Sequence, residues 1–233
     1  MSRFLRREAL RYEVRVVGPW LFVLPLFVAV LFAIAAGMMA FKQAQHSDIS
    51  NMLMAGIEGA VPLVVGIACA AIASREPALE LQLALPAQYR VTVLWRLVLL
   101  LAWAALIEIA GVAVLALAFP WALHRAGSGY LLTWLAPLLW CGGIGALLAL
   151  LLRNRAAAIA LLGVAWVFEL VFHGLMASYG WTQALDLFAT MFSAAASFWL
   201  ANRLELIGLG VLFLLATWFY LRNTEWRLRG EDA

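Results

Sequence analysis

An all-α integral membrane protein is the fold class that the sequence predicts, on three observations. Of 233 residues, 66% are hydrophobic and only 12% are charged, whereas a water-soluble domain has about half its residues apolar and about a quarter charged. The mean hydropathy is +0.96. The apolar residues gather into six runs, Trp20–Phe41, Met52–Ala73, Leu97–Phe119, Leu131–Leu152, Ala156–Met176 and Glu205–Leu221, each near the roughly 20 residues that a spanning helix needs. Such a chain cannot cover a soluble surface with polar groups. A soluble globular domain, a disordered chain, a collagen and a coiled coil are all excluded, and one transmembrane domain over 1–233 is expected.

Orientation follows from charge. Six crossings put both termini on one side, with Arg3, Arg6, Arg7, Arg11, Arg15, Arg75, Arg90, Arg96, Arg153, Arg155, Arg222, Arg227 and Arg229. The other side has Lys42, Arg125 and Arg203. Basic residues mark the cytoplasmic side, so both termini are expected inside. The net charge of +3 therefore reads as topology and not as nucleic-acid binding.

The first element is an amphipathic interfacial helix, Arg3–Val17. At 100° per residue Leu5, Ala9, Tyr12 and Val16 share one face, and Arg7, Arg11 and Arg15 the opposite one. Such a helix lies among headgroups with its arginines toward anionic lipid; a basic topogenic tail is the simpler alternative. Gly18-Pro19 then turns the chain into the bilayer. The first run is too long for the core of a cleaved signal, and Arg and Glu are mixed before it. Trp20, Trp95 and Trp226 fall near the inner interface and Trp121 and Trp181 near the outer one, as amphipathic rings prefer. Cys69 and Cys141 lie inside apolar runs and read as buried thiols.

Between runs two and three, Ser74–Arg90 is expected on the cytoplasmic face. Leucines alternate from Leu79 to Leu85, as in a strand. A lone strand would leave its backbone unpaired, and Leu, Ala, Glu and Gln favour helix. Pro77 suits a first turn and Pro86 disfavours helix just before it. The segment Pro77–Leu85 therefore reads as a short surface helix, either a handle for a partner protein or a lipid-contacting elbow.

The run Ala78-Leu79-Glu80-Leu81-Gln82-Leu83-Ala84-Leu85-Pro86, after Arg75-Glu76 and before Arg90, resembles the signature of ABC type-2 transporter permeases, the membrane subunits of bacterial exporters of drugs, lipids, peptides and polysaccharides. Pro77-Ala78 stands where that family usually has Gly-Thr. The resemblance extends to layout: an N-terminal amphipathic helix, six spans, a cytoplasmic coupling helix and an apolar insertion before the last span, which Phe198–Arg203 enters. It implies that Glu76, Leu79, Glu80, Leu83 and Pro86 dock onto an ATP-binding subunit present in two copies. It also implies a second permease copy, a homodimer with its seam at spans one and five, and a place in the bacterial cytoplasmic membrane. A P-loop needs a Gly-rich loop ending in Lys. Lys42 is the only lysine and follows Met38-Met39-Ala40-Phe41, so ATP and Mg are expected on the partner chain, with no cofactor, metal or catalytic residue in this one.

Residues 177–204 are too apolar for a free loop and too cramped for a seventh span, which would also put the Arg-rich tail outside. Gln183, Asp186, Thr190, Ser193 and Ser197 recur at steps of three and four, a polar stripe on one helical face. One or two re-entrant or interfacial helices at the outer leaflet are expected, lining an exit path or forming a structural lid.

Ionisable residues within the spans usually face the bundle interior or a wet cavity. Glu108 lies mid-span in the third run, Glu58 in the outer half of the second, and Glu169 and His173 at i, i+4 in the fifth. Glu108, Glu169, His173, Gln183 and Asp186 are the candidate translocation-path residues; hydrogen bonding between helices is the structural alternative for Glu108, and a local hydrogen-bonded pair for Glu169 and His173. Two ligands do not make a zinc site. Gly142/Ala146 and Gly145/Ala149 have small-xxx-small spacing and permit close helix approach. The function expected is that of an export permease. An integral membrane scaffold, or an intramembrane enzyme without ATP coupling, is the alternative.

Overall fold

A computed structural model describes residues 18–74, 89–118 and 129–230. The expected interfacial helix Arg3–Val17 and coupling helix Pro77–Leu85, with Glu76, Leu79, Glu80, Leu83 and Pro86, lie outside these residues. The described elements are α1 (Pro19–Phe41), α2 (His46–Met54), a π-helical segment (Ala55–Ala60), α3 (Val61–Ala73), α4 (Tyr89–Ala118), α5 (Tyr130–Leu152), α6 (Arg155–Val171), three short helices α7 (His173–Ser178), α8 (Gly180–Gln183) and α9 (Ala189–Ser193), and α10 (Trp199–Gly230). Five helices are long and apolar enough to cross a membrane: Pro19–Phe41, His46–Ala73, Arg90–Ala113, Tyr130–Leu152 and Trp199–Arg222. The protein is a multi-pass helical membrane protein.

Local chemistry sets the element ends. Gly18 has φ of 91°, a left-handed conformation that glycine adopts freely, and Pro19 opens α1 where its missing N–H is no loss. Gln43, at φ 58°, turns α1 into α2. Arg153, at φ 49°, ends α5, and the Asn154 side chain accepts a 3.2 Å hydrogen bond from the Ala157 amide to start α6.

Three boundaries differ from the sequence expectation. The fifth run is not one helix to Met176: α6 stops at Val171 after 17 residues and α7 restarts at His173. The last helix begins at Trp199, six residues before Glu205. The second starts at His46 and contains the π segment.

The His46–Ala73 rod is the centre of the bundle, with 72% of its most apolar stretch buried, against 11% for α1. Lipid tails are as apolar as leucine, so packing in a membrane depends on shape. Glycines supply that shape here. A Cβ on Gly66 would lie 2.7 Å from the Cys141 carbonyl oxygen, one on Gly210 2.6 Å from the Leu139 carbonyl carbon, and Gly145 meets the Gly66 backbone directly. Helices α3 and α10 therefore press backbone to backbone on α5, within one subunit.

The same contacts fix direction. Gly129 and Gly143 of the α5 region meet Trp199 and Gly210 respectively, so α5 and α10 run parallel. Leu101 of α4 meets Gly142, while Arg90 lies 4.9 Å over the Trp218 ring, so α4 opposes them. Gly59 meets Trp166 and Gly66 meets Leu162, so α6 runs against the central rod. The segments α7 to α9 form a cap at the bundle end that carries the α1–α2 turn.

Candidate functional site

The cap is joined to the bundle by a buried polar network centred on Glu58. Glu58 projects from the π segment, and α10 presents Asn202 and Arg203 in its first turn. The Arg203 and Glu58 side chains are fully buried and form an ion pair between Nη2 and Oε1. Arg203 also donates to the Leu187 carbonyl at 3.2 Å and to Thr190 Oγ1 at 3.0 Å. Trp199 Nε1 donates to the same hydroxyl at 2.9 Å.

Carboxylates take up the cap's backbone amides. Glu58 accepts from the Thr190 and Met191 amides, both at 2.8 Å. Asp186 Oδ1 accepts from Phe188 N, and Glu169 Oε2 from Leu187 N, each at 3.0 Å. Four of the five amides from Leu187 to Met191 thus bind three carboxylates from three different segments. A single-turn helix such as α9 leaves most of its N–H groups without internal partners, and at membrane depth these need protein partners. Asn202 Nδ2 adds bonds to the Gln183 and Asp186 carbonyls at 2.7 and 3.0 Å.

Phe188 completes the joint. It is fully buried, packs edge-on against Trp166 at 5.5 Å between ring centroids, and fills the space that a Cβ on Gly59 would take. Trp166 Nε1 donates to the Gly59 carbonyl at 3.1 Å. Burial pushes the Asp186 carboxyl above the usual carboxylate range, against the Phe188 amide and the Arg203 and His173 charges, which lower it.

The predicted residues divide in two. Glu169, Gln183 and Asp186 come together in the cap joint. His173 and Glu169 are not a pair, because the helix breaks at Phe172. Glu169 turns to Leu187, while the His173 ring stacks on Phe192 with centroids 3.8 Å apart. The polar stripe from Gln183 to Ser197 does not lie on one helix, since α8 and α9 are separate. Its members Asp186 and Thr190 are instead buried in protein. Glu58 is buried, 1% exposed, and Arg203 is a buried partner of that carboxylate, not a loop cation. An acid in one span and a base entering another on the same side are the sequence signal for such a pair.

Glu108 stands apart. It lines a cavity of about 470 Å³ between α1, α4 and the π region, and every other lining side chain is apolar. Among the described residues no three of His, Cys, Asp and Glu gather as a metal group. No family model, curated protein or solved structure matches the chain.

Proposed function

We propose that the chain is the transmembrane permease subunit of an ATP-driven exporter. It would act as a homodimer on two copies of an ABC ATP-binding subunit, which carries ATP and Mg. Its place is the bacterial cytoplasmic membrane, with both termini cytoplasmic. The carrying observation is the broken cap between α6 and α10. The carboxylate that receives it lies twelve residues into the His46 rod, about 18 Å by helical rise, which supports reading the cap as the re-entrant segment of the resembling exporters. Parallel α5 and α10 support reading α6 as the return path between them and so as a sixth crossing. Its 17 residues rise about 25 Å.

In this reading, ATP-driven closure of the partner subunits pushes on Pro77–Leu85. The push biases the bundle between two rigid-body arrangements, with substrate moving along the permease–permease interface. A cap fixed by buried charge moves with the bundle and does not flap. The exported substrate belongs to the drug, lipid, peptide or glycan classes.

The test is co-purification with a candidate ATP-binding cassette subunit. Leu79→Asp and Leu83→Asp are expected to abolish the complex and the ATP turnover that it stimulates. Unchanged complex formation in both would overturn the docking assignment.

A further inference from the structure

The cavity around Glu108 has the features of a ligand site that the joint at the cap lacks. Its volume of about 470 Å³ falls within the roughly 300–1,000 Å³ of small-molecule sites. Glu108 is 3% exposed, and its Oε1 has no hydrogen-bond partner among the described residues. Buried polar atoms are normally satisfied, and an exception calls for a cause. The neighbouring lining residue Trp103 does not provide a bond, because its Nε1 donates to the Phe22 carbonyl at 2.9 Å.

The mouth of the cavity faces the surroundings of the bundle. Leu26 and Val30 of α1 and Leu106 of α4 line it, yet are 43%, 45% and 59% exposed. In a bilayer the α4 side of the mouth, where Leu106 is exposed, meets lipid tails, so an occupant arrives by first dissolving in the membrane. Gly111 lines the same space with nothing within 4 Å of where its Cβ would be, so a side chain there has room. An apolar chamber with one acidic oxygen complements a bulky apolar body with one positive charge.

We infer that the α1–α4 cavity binds a lipophilic monocation, held by apolar contact and by charge pairing with Glu108. The inference requires only that the bundle lies in a membrane and stands whether or not an ATPase docks. Equilibrium dialysis of the purified full chain in detergent tests it, with tetraphenylphosphonium against tetraphenylborate, ions of the same shape and opposite charge. The cation is expected to bind saturably, and the anion at least about tenfold more weakly, a difference of about 1.4 kcal/mol. Glu108→Gln is expected to weaken the cation about tenfold and to narrow the gap between the two ions. Gly111→Leu, which keeps the charge and fills the chamber, is expected to weaken both ions. Equal binding of the two ions, or cation binding unchanged in Glu108→Gln or in Gly111→Leu, would overturn the proposal and leave the chamber to neutral lipid chains.

Discussion

At the scale of single residues, the Glu58–Arg203 pair decides how firmly the cap is held. Both side chains are fully buried, so each is stable there only because of the other and of the Thr190, Met191 and Leu187 groups around them. Removing one member of a buried pair leaves an uncompensated charge, at a cost of about 3–5 kcal/mol. Arg203→Met is therefore expected to lower the thermal midpoint of the purified protein sharply. Adding Glu58→Gln should recover much of the loss, because the amide oxygen still accepts one backbone N–H while no charge remains. Thermal unfolding of the four members of that cycle measures the coupling; losses that simply add would show that the two residues act independently. The sequence revealed both residues but not their pairing. They are 145 positions apart, and Arg203 reads as an ordinary topogenic cation until α10 is seen to begin at Trp199.

At the scale of helices, close approach depends on a few glycines, and two of them on one helix give an internal contrast. Gly210 faces the Leu139 carbonyl, where an added Cβ would sit 2.6 Å from the carbonyl carbon, whereas Gly208 has nothing within 4 Å. Gly210→Ala is expected to push α10 off α5 and lower stability by about 1–3 kcal/mol, as overpacking does. Gly208→Ala should be neutral or mildly stabilising, since alanine is the better helix former. Unfolding in detergent distinguishes them, and equal effects would mean that the α5–α10 seam is looser than the backbone contacts indicate. Helix existence was readable from apolar run length, and the Gly142–Ala149 stripe from small-residue spacing. The break at Phe172 was not, because nothing in Phe168–Met176 is a helix breaker of the proline kind. The Glu169 side chain accepts from the Leu187 amide and the His173 ring stacks on Phe192, tertiary contacts that local pattern does not carry.

At the scale of the molecule, the helices alternate in direction: α1, α4 and α6 run one way, and the central rod, α5 and α10 the other. The α1–α2 turn and the cap share one end, and the α5–α6 turn lies at the other. Cys69 and Cys141 are buried, so the native chain is a quiet background for thiol labelling. Single cysteines at Gln45 and Trp181 are expected to react with a membrane-impermeant maleimide from the same side of intact cells, and one at Arg155 only after permeabilisation. Labelling of all three from one side would rule out α6 as a crossing. The expected sidedness rests on charge bias, and the apolar insertion pointed to short helices before the last span. The composition of the cap joint stayed hidden because its main acceptors are carboxylates from α6 and the π segment, while the groups they bind are backbone amides, which every sequence has.

The parallel arrangement of α5 and α10 also bears on how the protein is made. A ribosome delivers the 32 residues of α10 after every other described helix, and Arg203 and Asn202 arrive with them. Until then Glu58 has no counter-charge and one flank of α5 has no neighbour but lipid. The nascent chain must therefore wait, with an acid unpaired and a seam open, for α10 to emerge, and that interval is when quality-control proteases would find it most vulnerable.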